Sequence, residues 1–117
     1  MSYQNRIKIQ ELSSFNAASL TANYQEINST GFPEPILILR IVNASDADIT
    51  LSFDGSTDQE FIPGTTAAIP RGVLQLDFTS TPSTTGYPYL AKGSKVYVKG
   101  TAGTGTIYMS AYSQGEN

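Results

Sequence analysis

The chain has 117 residues, a formal net charge of -3, 39% hydrophobic residues and 15% charged residues. This length fits one domain, since splitting is unusual below about 250 residues, and the low charge predicts a neutral, hydroxyl-rich surface. The seven lysines and arginines are scattered singly, so no cationic patch is available for nucleic acid or for an anionic membrane surface.

The N-terminal segment alternates apolar and polar residues. Ile7 and Ile9 alternate with Arg6, Lys8 and Gln10, with Leu12 as a further candidate, and this period of two is typical of a strand, or a strand-like arm, with one buried face. Residues 13–28 fit either a helical or a strand pattern, and we favour a strand over residues 21–27. We therefore predict an N-terminal arm with the first strand or strands over residues 1–30, followed by a sandwich domain over residues 31–117.

The middle of the chain predicts a central strand and two turns. Residues 36–42 form the most apolar run and are rich in β-branched side chains, which predicts a central strand covered on both faces. Asx and Ser side chains over residues 43–48 cap tight turns, so residues 49–53 are predicted to return as the second strand of a hairpin. Asp54 and Gly55 mark a further hairpin turn, because glycine tolerates a positive φ.

The C-terminal half predicts more short strands. Phe61 and Ile62 lie on one strand, and residues 73–78 form another before a long polar loop over residues 79–88. Two strands around Tyr97 and Tyr108 are predicted to pair as a terminal hairpin across a glycine-rich connection. Short strands with turns between them predict an all-β fold, either a single antiparallel β-sandwich or a jelly-roll-like barrel with an extended N-terminal arm.

Catalysis or metal binding would have to depend on carboxylates, because the chain contains no cysteine and no histidine. Paired carboxylates can act on glycosides, and several oxygens together can bind calcium. Turn capping explains the observed positions better. We therefore assign no catalytic, cofactor-binding or metal-binding residue, and we expect no cofactor and no enzyme activity. The acidic residues near the two turns are Asp46, Asp48, Asp54, Asp58 and Glu60.

Targeting signals are not expected. The polar N-terminus lacks the apolar stretch of a secretory signal peptide, and no apolar run approaches the roughly 20 residues that span a bilayer. We expect the protein to be made in a cytoplasm and to bind neither nucleic acid nor membrane.

Tyrosines supply the candidate contact chemistry, since a tyrosine ring is apolar and its hydroxyl forms hydrogen bonds. Such residues serve both protein interfaces and sugar-binding platforms. We favour a protein interface and keep carbohydrate binding as the alternative. The candidate contact residues are Ile7, Ile9 and Phe15 in the arm, and Tyr87 and Tyr89 in the long loop.

Three stretches, in this order, resemble small virion structural proteins of tailed bacteriophages. Residues 38–43 read as a strand ending in an asparagine turn. Residues 49–64 carry an S-x-D-G-x-T-D hairpin leading into I-P-G, and residues 92–108 carry K-G-x-x-V-Y-V-K-G-T-A-G-T-G-T-x-Y. The resemblance spans about residues 36 to 112, and no catalytic residue comes with it.

The resemblance implies a structural part of the virus particle that acts by protein–protein packing. Such a part is a capsid decoration or cement subunit, or an accessory subunit of the head–tail neck or the tail. The implied partners are other virion proteins, with a homo-oligomer within the particle, and the implied location is the virion after synthesis in the host cytoplasm. The alternative is a carbohydrate- or receptor-binding sandwich at a tail or fibre.

Overall fold

A computed structural model describes residues 7–65, 72–77 and 90–114, with the backbone alone at residues 7 and 114. These residues form nine strands and one short 3-10 helix, Ala17–Ser19. No helix in these ranges is long and apolar enough to cross a membrane. The strands are β1 Ile7–Ile9, β2 Ser13–Asn16, β3 Gln25–Glu26, β4 Ile36–Ser45, β5 Ile49–Ser52, β6 Glu60–Ile62, β7 Gly72–Asp77, β8 Tyr97–Gly100 and β9 Gly105–Gln114.

The strands form two antiparallel sheets. Sheet A has the order β1-β9-β4-β7, and β2 also pairs with β9, whereas sheet B has the order β3-β8-β5-β6. The two sheets pack face to face, as in β-sandwiches generally. The predicted all-β antiparallel sandwich is thus confirmed, and within the described residues neither sheet closes into a barrel.

The core lies between the two sheets and follows from the alternation of side chains along each strand. Leu39 and Ile41 of β4 and Ile107 and Met109 of β9 point inward and are almost fully buried. Burying a side chain of this size stabilises the fold by about 1.5–3 kcal/mol, so these central strands contribute much of the stability. The buried apolar residues that share this core are Ile49, Leu51, Ile62 and Val98 of sheet B, and Val96, which directly precedes β8.

Two predicted hairpins are in fact crossings between the sheets. β4 lies in sheet A and β5 in sheet B, and β8 and β9 are divided in the same way. Asp46 joins the two crossings. Its backbone N–H donates to the Thr104 backbone oxygen, and its carboxylate accepts from the Thr104 N–H. The prediction of a hairpin at Asp54 and Gly55 is confirmed, since β5 and β6 pair across that turn.

The N-terminal residues pair with both sheets: β1 and β2 with β9, and β3 with β8. The strand predicted over residues 21–27 is confirmed only at Gln25–Glu26. The predicted buried face of the first strand is wrong, since Ile9 is 70% and Leu12 is 56% exposed. Ile9 lies opposite Tyr112, on the outside of sheet A. The division of the chain at residue 30 stays a prediction.

The central position of β4 is confirmed, since it lies between β9 and β7. The expectation that both its faces are covered is wrong. Arg40 is exposed, and Ile38 and Val42 are only half-buried. These three residues point away from the core, so the outer face of β4 is only partly covered.

Candidate docking surface

The outer face of sheet A carries two rows of apolar side chains that run across the strands. Outward-facing residues alternate with buried ones along β4 and β9. Outward-facing residues that pair across the two strands therefore lie side by side. The apolar rows are Ile9 with Tyr112 and Ile38, and Tyr108 with Val42 and Val73. The first row is followed on β7 by Asp77, and the second is flanked on β2 by Ser14.

Three of these six side chains are exposed to solvent. Ile9 is 70% exposed, Val73 47% and Tyr108 38%, and the other three members of the apolar rows are half-buried. Contiguous exposed apolar patches larger than a few hundred Å² are uncommon on monomer surfaces and mark interaction sites. The outer face of sheet A therefore has the chemistry of a protein interface.

A polar row separates the two apolar rows. Arg40 of β4 pairs with Ser110 of β9 on one side and with Gln75 of β7 on the other. Arg40 is exposed, and none of the ion pairs among residues 7–65, 72–77 and 90–114 involves it. Its guanidinium offers several N–H donors to a partner.

The outer side of sheet B has a different chemistry, because its charges pair with one another. The Tyr24 hydroxyl donates to Asp58 at 2.5 Å, and the Lys99 ammonium lies 2.9 Å from the same carboxylate and 4.8 Å from the centre of the Tyr24 ring. Lys95 and Glu26 form a further pair at 2.7 Å. Polar groups that are satisfied within the chain give a partner little to bind.

The same contacts shift the pKa values of Tyr24 and Asp58. Burial of Tyr24 and its hydrogen bond to Asp58 raise the pKa of the phenol to about 12. The Tyr24 hydroxyl and the Lys99 ammonium hold the pKa of the Asp58 carboxyl below its usual value. Asp58 is therefore ionised throughout the physiological range.

The predicted contact residues have different positions in the structure. Ile9 lies on the exposed outer face of sheet A, beside Tyr112. Phe15 is half-buried and packs against the core, which holds β2 on β9, and its role as a contact residue stays a prediction. The backbone of Ile7 pairs with β9. The side chain of Ile7, and both Tyr87 and Tyr89, lie outside the described residues.

The acidic residues near the turns hold the backbone in place. Asp46 accepts from the Thr104 N–H at 2.8 Å, and Asp48 accepts from the Gly64 N–H at 2.7 Å. Asp54 accepts from the N–H groups of the two residues that follow Gly55, which holds the pKa of its carboxyl well below the usual value. Among the described residues, no group of three or more acidic side chains is placed to share a metal ion.

A groove of about 490 Å³ opens where residues 10–14 approach the loop over residues 27–33. Its walls carry hydroxyl and amide groups, and Met109 and Ala111 form part of its floor. This combination of polar walls and an apolar floor suits a small polar ligand such as a sugar. The polar wall residues are Gln10, Glu11, Ser13, Ser14, Asn28, Ser29 and Thr30.

No protein-family model and no curated protein matches the sequence. Among solved structures, the chain is similar to one in the cryo-EM structure of a virus-like particle of the extra small virus of the giant freshwater prawn Macrobrachium rosenbergii. The TM-score is 0.46 and the identity 12%, over 91% of this chain and 77% of that one.

The chain is also similar to Dit of phage SPP1, a hub protein of the adsorption apparatus in phages that infect Gram-positive hosts. Here the TM-score is 0.43 and the identity 14%, over 94% of this chain and 50% of that one, so the chain spans half the length of Dit. At TM-scores below 0.5, neither likeness assigns a family or a function.

Proposed function

We propose that this protein is a structural component of a tailed-bacteriophage virion and acts without catalysis, by packing the apolar rows of sheet A against protein subunits. The observation that carries the proposal is the contrast between the two outer faces. On its outer side sheet A exposes three large apolar side chains, Ile9, Val73 and Tyr108, whereas the described strands of sheet B expose one, Phe61, beside charges that are paired within the chain. The sequence resemblance over residues 36–112 supports a place in the virion.

The composition of the apolar rows suits a subunit interface. The buried centres of interfaces are more apolar than the rest of the surface, aromatic residues are enriched in interfaces, and lysine and acidic residues are depleted there. The apolar rows combine Tyr108 and Tyr112 with isoleucine and valine side chains. A face built from regular strands also holds its side chains in fixed positions, which favours repeated identical contacts in a particle.

The copy number in the particle tests the finer assignment. Quantitative mass spectrometry of purified virions should detect this chain beside the major capsid protein. A ratio near one, or a simple fraction of it, supports capsid decoration, whereas about six or twelve copies, as in a closed ring, supports the neck or tail. Absence of the chain from purified particles would overturn the proposal.

Incorporation of variants tests the docking face. Tyr108→Lys places a charge in an apolar row and should lower the number of copies per particle by roughly tenfold. Phe61→Lys is the matched control, because Phe61 is an aromatic residue of sheet B that is 60% exposed. Equal incorporation of the two variants would show that the apolar rows do not form the docking face.

The groove supports a second candidate, a carbohydrate- or receptor-binding module at a tail or fibre. Its polar walls and its volume of about 490 Å³ can hold a sugar ring. Ser29→Trp would fill the groove, and a glycan array compared with the unchanged protein reads out the effect. Binding that Ser29→Trp abolishes and Phe61→Lys preserves would establish the groove as a sugar site, and an array without any binding would eliminate it.

A further inference from the structure

We propose that the subunit docked on the apolar rows is a second copy of this chain, packed face to face about a twofold axis parallel to β4 and β9. This inference rests on the proposed function, because it names the partner of the same face. It follows from a complementarity between the two central strands. β4 presents the aliphatic side chains of Ile38 and Val42 outward, and the residues that pair with them on β9 are tyrosines.

A twofold axis that runs between β4 and β9 places β4 of the second copy over β9 of the first. Residues that pair within one sheet then also face each other between the two copies. Tyr112 then faces Ile38 of the second copy, and Tyr108 faces Val42. Each tyrosine ring thus meets an aliphatic side chain, and the contact occurs twice by symmetry, as isologous interfaces require. Pairs of aromatic and β-branched side chains pack favourably between strands.

Arg40 and Asp77 are both charged side chains of this face. Asp77 is at its edge on β7 and would lie over Ile9 of the second copy, whereas Arg40 is at its centre and selects the direction of the axis. With the axis parallel to the strands, Arg40 faces Ser110 of the second copy, whose hydroxyl can accept a hydrogen bond. With an axis across the strands at the level of Arg40, the two guanidinium groups would oppose each other in a desolvated interface, which is unfavourable. The parallel axis therefore accommodates the Arg40 charge at the centre of the face.

The size of the face predicts a reversible dimer. β4 and β9 each contain ten residues. At about 3.3 Å per residue and about 4.8 Å between strands, the outer face of sheet A covers roughly 550 Å². A standard specific interface buries about 800 Å² on each partner. We therefore expect a weak association that depends on protein concentration.

Sedimentation velocity of the full chain between about 1 and 300 μM tests the dimer. The unchanged protein should shift from monomer to dimer over this range. Val42→Asp alone and Tyr108→Lys alone should each stay monomeric. An equal mixture of the two should restore a heterodimer, because the introduced carboxylate faces the introduced ammonium while the other Tyr108–Val42 contact is intact.

Matched variants on sheet B serve as controls. Phe61→Lys and Thr50→Asp introduce the same charges on the opposite sheet and should dimerise like the unchanged protein. Circular dichroism verifies the fold of each variant. If Val42→Asp unfolds the chain, Ile38→Asp mixed with Tyr112→Lys tests the other apolar row by the same logic.

The outcomes separate this inference from the proposed function. An unchanged protein that stays monomeric throughout, or a mixture that forms no heterodimer, overturns the second copy as the partner. If Tyr108→Lys still lowers incorporation into particles in that case, the apolar rows bind another virion protein instead of a second copy. A dimer measured in solution together with absence from purified virions overturns the virion role alone.

Discussion

The side-chain amide of Asn43 donates to the backbone oxygen of Ala47 at 2.7 Å, at the point where the chain passes from sheet A to sheet B. The same amide donates to the Pro63 oxygen at 3.1 Å, and its carbonyl oxygen accepts from both the N–H and the hydroxyl of Ser45. Asn43 is fully buried. This one side chain therefore joins β4 to the start of β5 and the end of β6.

Replacement of Asn43 should be among the most destabilising polar substitutions in the chain. Asn43→Ala leaves buried carbonyl groups without donors and opens a small cavity, so we expect a loss of about 2–4 kcal/mol in the free energy of unfolding. Urea denaturation followed by circular dichroism measures it. Asn23→Ala, at an exposed position, should change the free energy by less than about 0.5 kcal/mol. Similar losses for both variants would contradict a special role for Asn43.

The strands could be predicted from the sequence more easily than their partners. Alternation and β-branched residues identify β4, β5 and β7 because a half-buried strand requires that pattern. The polar residues after β4 look like the turn of a hairpin, since a tight turn and a crossing between sheets use the same capping side chains. The difference depends on the long-range contacts of Asn43 and Asp46, and no local pattern reveals these.

The candidate surface was predictable only in part. The position of Ile9 in the arm predicts a contact residue, although the alternation of the arm predicts a buried side chain. Val42 was missed, because a nearly continuous apolar run looks like a strand covered on both faces. Arg40 within that run, and the alternation of Tyr108 and Tyr112 with buried residues of β9, were the local signals of an exposed face.

Two glycines with the same backbone conformation should respond differently to substitution. Gly31 and Gly93 have φ values of 77° and 88°, where a side chain costs roughly 1 kcal/mol or more. A Cβ on Gly31 would lie 2.5 Å from the Gly93 oxygen, whereas a Cβ on Gly93 meets nothing within 4 Å. Gly93→Ala should therefore lose about 1 kcal/mol and Gly31→Ala about 2–4 kcal/mol in urea denaturation. Equal losses would show that the close backbone approach at Gly31 is relieved at little cost.

Titration of Tyr24 should couple alkaline pH to stability. Its folded-state pKa, about 12, lies above the ordinary value of 10.0. The contribution of Tyr24 is therefore complete below pH 10 and is lost as the pH rises through 12. Ultraviolet absorbance of the phenolate should show a late transition that Tyr24→Phe removes. Asp58→Asn should move that transition to lower pH, because it removes the charged acceptor of the Tyr24 hydroxyl. A late transition that persists in Tyr24→Phe would assign the raised pKa to another tyrosine.

Substitution of Ile9 should separate docking from folding. The side chain is 70% exposed, and β1 stays attached through other contacts, since Lys8 and Gln10 both bind Glu34 at 3.2 and 2.9 Å. Ile9→Asp should therefore change the free energy of unfolding by less than about 0.5 kcal/mol. It should nevertheless reduce incorporation into particles, because it places a carboxylate at the end of an apolar row. Phe61→Asp, at a residue of sheet B that is 60% exposed, is the matched control and should incorporate normally. If Ile9→Asp is incorporated as well as Phe61→Asp, the contact does not extend to β1, and the interface is confined to the rows on β9, β4 and β7.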